Sequence, residues 1–194
     1  MKHSDILSAV ESFTRALEKL RIPYYIGGSV AGSAYGVARA TMDVDVIAKI
    51  RIEQVNALVA MLEADFYIDS DMIIRAIQER SSFNMLHLQT MIKIDVFIVK
   101  ERPYDKSALA RRKKDSLDVE STLTETYLAS AEDVILSKLE WFRKGGEVSE
   151  RQWNDILGIL RVQGALLDST YLQTWSSALG VDDLLQKALH EIPE

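Results

Sequence analysis

The chain of 194 residues is 47% hydrophobic and 27% charged, carries a net charge of −6 and contains no cysteine. That composition is ordinary for a soluble globular protein with ample core material, and it excludes disulfides, thiolate metal sites and cysteine nucleophiles. The acidic balance argues against binding a phosphate backbone over the whole surface, and no apolar run approaches the roughly 20 residues that span a bilayer.

Met1-Lys2-His3-Ser4-Asp5 opens an amphipathic pattern with no signal-peptide core behind it, so a cytoplasmic location is expected. Ser4 is placed to cap a first helix in which Ile6, Val10, Phe13, Leu17 and Leu20 recur at helical spacing, ended by Pro23. Tyr24-Tyr25-Ile26 reads as a short strand running into Gly27-Gly28-Ser29, and Val30 to Tyr35 as a short helix closed by Gly36. Asp43 to Ile47 is strand-like. Glu53 to Ala64 forms an amphipathic helix, and Asp69 or Ser70 caps another through Ile77. Phe83 to Leu88 and Met91 to Val99 read as a hairpin turning near Gln89-Thr90. In its second strand Lys93, Asp95 and Phe97 share the face opposite Ile92, Ile94, Val96 and Ile98.

Beyond Asp115 the pattern turns helical. Ser130, with Asp133 three residues on, caps a helix through Ile135, Leu139 and Phe142 to Gly145-Gly146. Ser149 caps the next, and Asp168 and Val181 begin two more. Trp141 and Trp153 read as packing between the first two of these helices, and the basic run Arg111-Arg112-Lys113-Lys114 as a solvated helix face. The expected class is α+β, a small mixed sheet with flanking helices over residues 1–115, followed by a helical region over 116–194 that packs against it.

Asp43 and Asp45 lie two apart on a strand, so both carboxylates project from one face. Two like charges held together call for a cation, and paired hard oxygens suit Mg²⁺. Asp95 interrupts an otherwise apolar strand, and a neighbouring position would bring it beside the pair. Three carboxylates are enough to hold two Mg²⁺ ions, with Mn²⁺ as a substitute. Upstream, Gly27, Gly28 and Ser29 join a strand to a helix, where free backbone N–H groups and a hydroxyl face an anion. Each signal has a plain structural alternative: a strand-edge charge for the acids, a helix cap for the glycine turn, a helix start for Asp69-Ser70-Asp71. Their order along the chain is what favours chemistry. His3, His87 and His190 are scattered and suggest no zinc site.

The ordered set of GGS, then ARATMDVDV, then IKIDVFIV resembles the nucleotidyltransferase superfamily related to DNA polymerase beta, with thirteen residues between Ser29 and Asp43. The resemblance implies that Gly28 and Ser29 contact a nucleoside triphosphate and that Asp43, Asp45 and Asp95 hold metal, Asp95 also activating an acceptor hydroxyl. Arg39 and Thr41, just before the acidic pair, are candidate substrate contacts. EDVILSKLEWFRKGG and SERQWNDILGIL are similar to the helical region of small bacterial nucleotidyltransferases akin to AbiEii-type toxins, which implies a nucleotide-site role for Lys138 and Asp155, with Arg151 nearby. The implied reaction moves a nucleoside monophosphate to an RNA 3′ end, a protein or a small molecule, and an antitoxin is the implied partner. Two competing readings are a non-catalytic nucleotide- or partner-binding module and a glycosyltransferase using Asp43-Val44-Asp45; the upstream glycine turn and Asp95 disfavour the second.

Overall fold

A computed structural model describes residues 3–36, 41, 43–116 and 125–192. The chain runs α1 (His3–Lys19), β1 (Tyr24–Ile26), α2 (Gly28–Ala34), β2 (Asp43–Ala48), a 3-10 turn (Ile52–Gln54), α3 (Val55–Leu62), β3 (Phe66–Tyr67), α4 (Ser70–Glu79), β4 (Ser82–His87) and β5 (Lys93–Ile98). It continues with α5 (Pro103–Arg111), β6 (Lys113–Ser116), β7 (Glu125–Leu128), α6 (Ala131–Lys144), α7 (Glu150–Gln163), a second 3-10 turn (Gly164–Leu166), α8 (Ser169–Leu179) and α9 (Asp182–His190). Among the described residues the strands form one mixed sheet in the order β3-β4-β5-β2-β1-β7-β6. β2 pairs with β5 and β1 with β7 in parallel, and the other pairings are antiparallel. No helix among the described residues is long and apolar enough to cross a membrane.

Strand alternation divides the core between the two faces of this sheet. Tyr24, Val44, Val46, Ile94 and Val96 bury against Phe13 and Leu17 of α1, Leu58 of α3 and Ile73 of α4. Tyr25 turns to the other face, into a second cluster with Ala31 of α2, Tyr104 of α5, Ile135 and Leu139 of α6, Ile156 of α7 and Leu184 of α9. Each fully buried aliphatic side chain contributes roughly 1.5–3 kcal/mol. The face of β2 that carries Asp43 and Asp45 is therefore the face covered by the C-terminal helices.

The caps at Asp69, Ser130, Ser149 and Asp168 form as the pattern predicts, whereas Ser4 lies inside α1, which begins at His3. Asp69 Oδ1 accepts from Met72 N at 2.8 Å, which settles the choice between Asp69 and Ser70. Ser130 Oγ accepts from Asp133 N at 3.2 Å and donates to Asp133 Oδ2 at 2.7 Å. Ser149 and Asp168 cap α7 and α8 in the same way.

Three expectations are corrected. The region beyond residue 114 is not helical alone, because β7 enters the sheet beside β1, with Ile26 opposite Leu128. β7 is four residues long, paired along its length with β6 and at Leu128 with the distant β1, and local periodicity does not register a distant partner. The basic run is not one helix face: Arg111 ends α5, while Lys113 and Lys114 lie in β6. Three of its four charges are engaged, Arg111 lying 3.2 Å from Glu132 and Lys114 2.8 Å from Glu125, with Arg112 over the Tyr127 ring. Trp141 does not pack between α6 and α7. Leu139 and Phe142 occupy the buried side of α6, and Trp141 falls on its flank, 49% exposed and edge-on to Phe97. Trp153 does pack there, 5.2 Å from Phe142.

Replacing Ser130 with Ala removes both the α6 cap and a donor to the buried Asp133 carboxyl. The expected loss is about 2 kcal/mol of unfolding free energy at unchanged m-value, read by urea denaturation.

Candidate active site

β2 and β5 run parallel in unbroken register, pairing Asp43 with Lys93, Val44 with Ile94 and Asp45 with Asp95. The valine and isoleucine side chains are buried on one face, so the four charged side chains share the other. Lys93 Nζ lies 2.8 Å from Asp95 Oδ2 and 3.5 Å from Asp43 Oδ1, and its hydrogen bond to Asp95 raises the ammonium pKa. Asp45 is pushed above the usual carboxylate range, first by burial and then by the charge of Asp95, while Lys138 pulls the other way.

The glycine turn meets this pair directly. Gly27 N donates to Asp45 O at 2.9 Å, and Gly28 adopts a left-handed φ of +56°. A Cβ built on Gly28 would stand 1.8 Å from Asp45 Oδ2. Both the backbone conformation and the approach of the carboxylate therefore require glycine. α2 then packs on the C-terminal helices through Gly32, where an added Cβ would meet Lys138 Cε and Val134 Cγ1 at 3.9 Å and Ile159 Cδ1 at 3.8 Å. Lys138 Nζ donates to Asp155 Oδ2 at 2.8 Å, and both side chains are about nine-tenths buried at 10% and 8% exposure.

A cavity of about 490 Å³ opens between the sheet and α6–α7, lined by Gly28, Ser29, Asp45, Lys138, Arg151 and Asp155. Tyr25, Phe97, Arg102, Glu140 and Trp141 line it as well. Arg102 donates to both Asp105 and Glu140. Burial alone would raise the Glu140 carboxyl, but hydrogen bonds from Arg102 and Lys144 outweigh it and hold the pKa down at about 2.

The sequence candidates are thus gathered unevenly. Gly28, Ser29, Asp45, Lys138, Arg151 and Asp155 share one cavity, whereas Gly27, Thr41, Asp43 and Asp95 are outside its lining. Thr41 Oγ1 bonds the backbone of Asp43, donating to its carbonyl at 3.1 Å. Arg39 lies outside the described residues. His87 is a buried strand residue bonded to Thr90. Lys93 is absent from the sequence candidates. Its signal is the period-two alternation that puts it on the Asp95 face, but only the pairing with β2 brings it to Asp43.

The donors fit a hard divalent cation in kind: carboxylate oxygens on adjacent strands, beside a glycine whose missing side chain leaves room for Asp45. Among the described residues no group of three or more carboxylate or imidazole side chains is drawn close enough to form a complete metal cage. Asp43, Asp45 and Asp95 are the residues that would hold such an ion.

No protein-family model matches the chain, and no curated protein matches it. Solved structures do. The solution structure of the antibiotic-resistance factor ANT(2'')-Ia superposes with a TM-score of 0.59 at 15% identity, covering 97% of this chain and 98% of that one. Its crystal structure in complex with adenylyl-2''-tobramycin gives 0.60 at 14% identity, covering 90% and 96%. An antigenic nucleotidyltransferase-like protein from Paracoccidioides brasiliensis gives 0.58 at 19% identity, covering 98% and 94%. The likeness runs through both the mixed sheet and the helical C-terminal region. The fold is the nucleotidyltransferase fold. These three structures carry the finer likeness to AbiEii-type toxins no further.

Two substitutions separate structure from site. Gly28→Ala is expected to cost about 1–3 kcal/mol, from the left-handed backbone and the clash with Asp45, read by thermal unfolding. Lys138→Met takes the buried ammonium away from the Asp155 carboxylate and is expected to cost about 3 kcal/mol, of which Lys138→Met/Asp155→Leu recovers part. Denaturation of the wild type, the single and the double variant checks this.

Proposed function

We propose that the protein is a magnesium-dependent nucleotidyltransferase that moves a nucleoside monophosphate from a nucleoside triphosphate to an acceptor hydroxyl. The observation that carries this reading is the register of Asp45 opposite Asp95, with Asp43 beside them and the Gly28 backbone in contact with Asp45. The turn at Gly28-Ser29 receives the triphosphate. Lys138 and Arg151, on the same cavity, supply positive charge to its phosphates. Asp43, Asp45 and Asp95 would hold Mg²⁺, which would supply neutralising charge to the triphosphate and polarise it. The Asp95 carboxylate takes the proton of the acceptor hydroxyl as its oxygen bonds to the α-phosphorus. The bond from that phosphorus to the bridging oxygen breaks, and pyrophosphate leaves.

The fold shared with ANT(2'')-Ia over nearly the whole of both chains supports the reading, and the adenylyl-tobramycin complex of that protein makes a small hydroxylated molecule one acceptor class to test. An RNA 3′ end and a protein hydroxyl are the others, both suited to a toxin held in check by an antitoxin in the cytoplasm. The test is incubation with each α-labelled nucleoside triphosphate and Mg²⁺ in cell extract, with RNA, protein and small molecules resolved separately. Label is expected in one class with wild type, lowered on the order of 100-fold or more in Asp45→Asn. Label that is unchanged in Asp45→Asn, or no transfer together with no magnesium-dependent triphosphate binding, overturns the proposal.

A further inference from the structure

Lys93 stands among the acids in a way the reaction above does not use. The parallel register sets its Cα opposite that of Asp43, and strand alternation sets it on the face of Asp95, two residues on. Its ammonium reaches both carboxylates, at 2.8 Å to Asp95 Oδ2 and 3.5 Å to Asp43 Oδ1. Asp45, the third acid, is the one that lines the cavity, together with Gly28, Ser29 and Lys138. Asp45 faces the space where a triphosphate would lie, and the Asp43–Asp95 side is bridged by a cation that belongs to the chain.

An ammonium is a compact point charge with three donors, so it can join two carboxylates as a small metal ion does. Three carboxylates carry three negative charges. Lys93 lowers the protein's own share of that charge to two, and the triphosphate brings its own negative charge with the divalent ion. A second divalent ion between Asp43 and Asp95 would have to expel the ammonium and would meet its repulsion at contact range. We propose that Lys93 is the resident cation of the Asp43–Asp95 side, so that this chain takes one divalent ion with its triphosphate rather than two. The inference rests on the metal-binding reading of these acids. It makes Lys93 a positioning residue: it holds Asp95 beside Asp43 and acts on the reaction through them.

The experiment is electron paramagnetic resonance of Mn²⁺ added to the full chain with a non-hydrolysable ATP analogue. Two Mn²⁺ ions about 4 Å apart couple and give a spectrum that a single ion does not. Wild type is expected to show only the uncoupled signal. Lys93→Met, with the obstructing charge gone, is expected to show the coupled signal and to bind the second ion about tenfold or more tightly than wild type. Lys93→Arg, which keeps the charge, is expected to return to the uncoupled signal. Lys93→Gln replaces Lys93→Met if the latter does not fold, as judged by circular dichroism. A coupled signal from wild type overturns the proposal, and so does an uncoupled signal from the charge-removing variant, while Mn²⁺ binding that is lost in Asp45→Asn leaves the metal-binding reading standing. Binding of Mn²⁺ that Asp45→Asn does not alter overturns that reading and this inference together.

Discussion

Six residues of β2 run beside six of β5, parallel and without a bulge, from Asp43 opposite Lys93 to Ala48 opposite Ile98. Because side chains alternate along both strands, this one pairing sorts every residue in it. Val44, Val46, Ile94 and Val96 go to the core with α1, α3 and α4, and Asp43, Asp45, Lys93 and Asp95 go together to the other face. A slip of one residue would place Asp45 against Ile94 and drive the charges of one strand into the apolar core. The hydrophobic face thus holds the charged face in register. Burial of the valines and isoleucines is what keeps two like charges opposite one another.

The second dependence is between the glycine turn and the C-terminal helices. Gly27 is tied to the backbone of Asp45, and Gly32, just over one helical turn on, lies against α6 and α7. The short helix α2 is therefore clamped between the acids and the Lys138–Asp155 pair. That pair is buried at the junction, where an unpaired charge would be costly, so the two helices that supply it are held to each other as well as to the sheet. A single arrangement serves packing and cavity charge at once: the ammonium is neutralised by Asp155 and still faces the cavity.

The remaining wall of the cavity is built differently. Arg102 is shared by Asp105 of its own helix start and Glu140 of α6, and Lys144 adds a further bond to Glu140. This network links the end of the β5–α5 connection to the helix that carries Lys138. Phe97, on the same strand face as Asp95, meets Trp141 edge-on just beyond it. The cavity thus carries charge at Asp45, an aromatic wall at Phe97 and Trp141, and balanced ion pairs around Arg102 and Glu140.

Much of this was legible in the linear order of residues. The spacing of Asp43 and Asp45, the lone acid in an apolar strand at Asp95, and the glycine pair before a helix are local patterns, governed by a period of two or by a backbone conformation that only glycine adopts easily. The caps at Asp69, Ser130, Ser149 and Asp168 are local as well, since each bonds three residues ahead. What the sequence by itself determined was therefore the face taken by the alternating residues of β2 and β5 and the start of the capped helices α4, α6, α7 and α8. Only the tertiary structure decided which faces meet. It brought Lys93 to Asp43 through a strand fifty positions away, set β7 beside β1, turned Trp141 to the cavity and put Asp45 opposite Asp95 at the cavity wall. Pairing between distant strands depends on partners that no local period encodes.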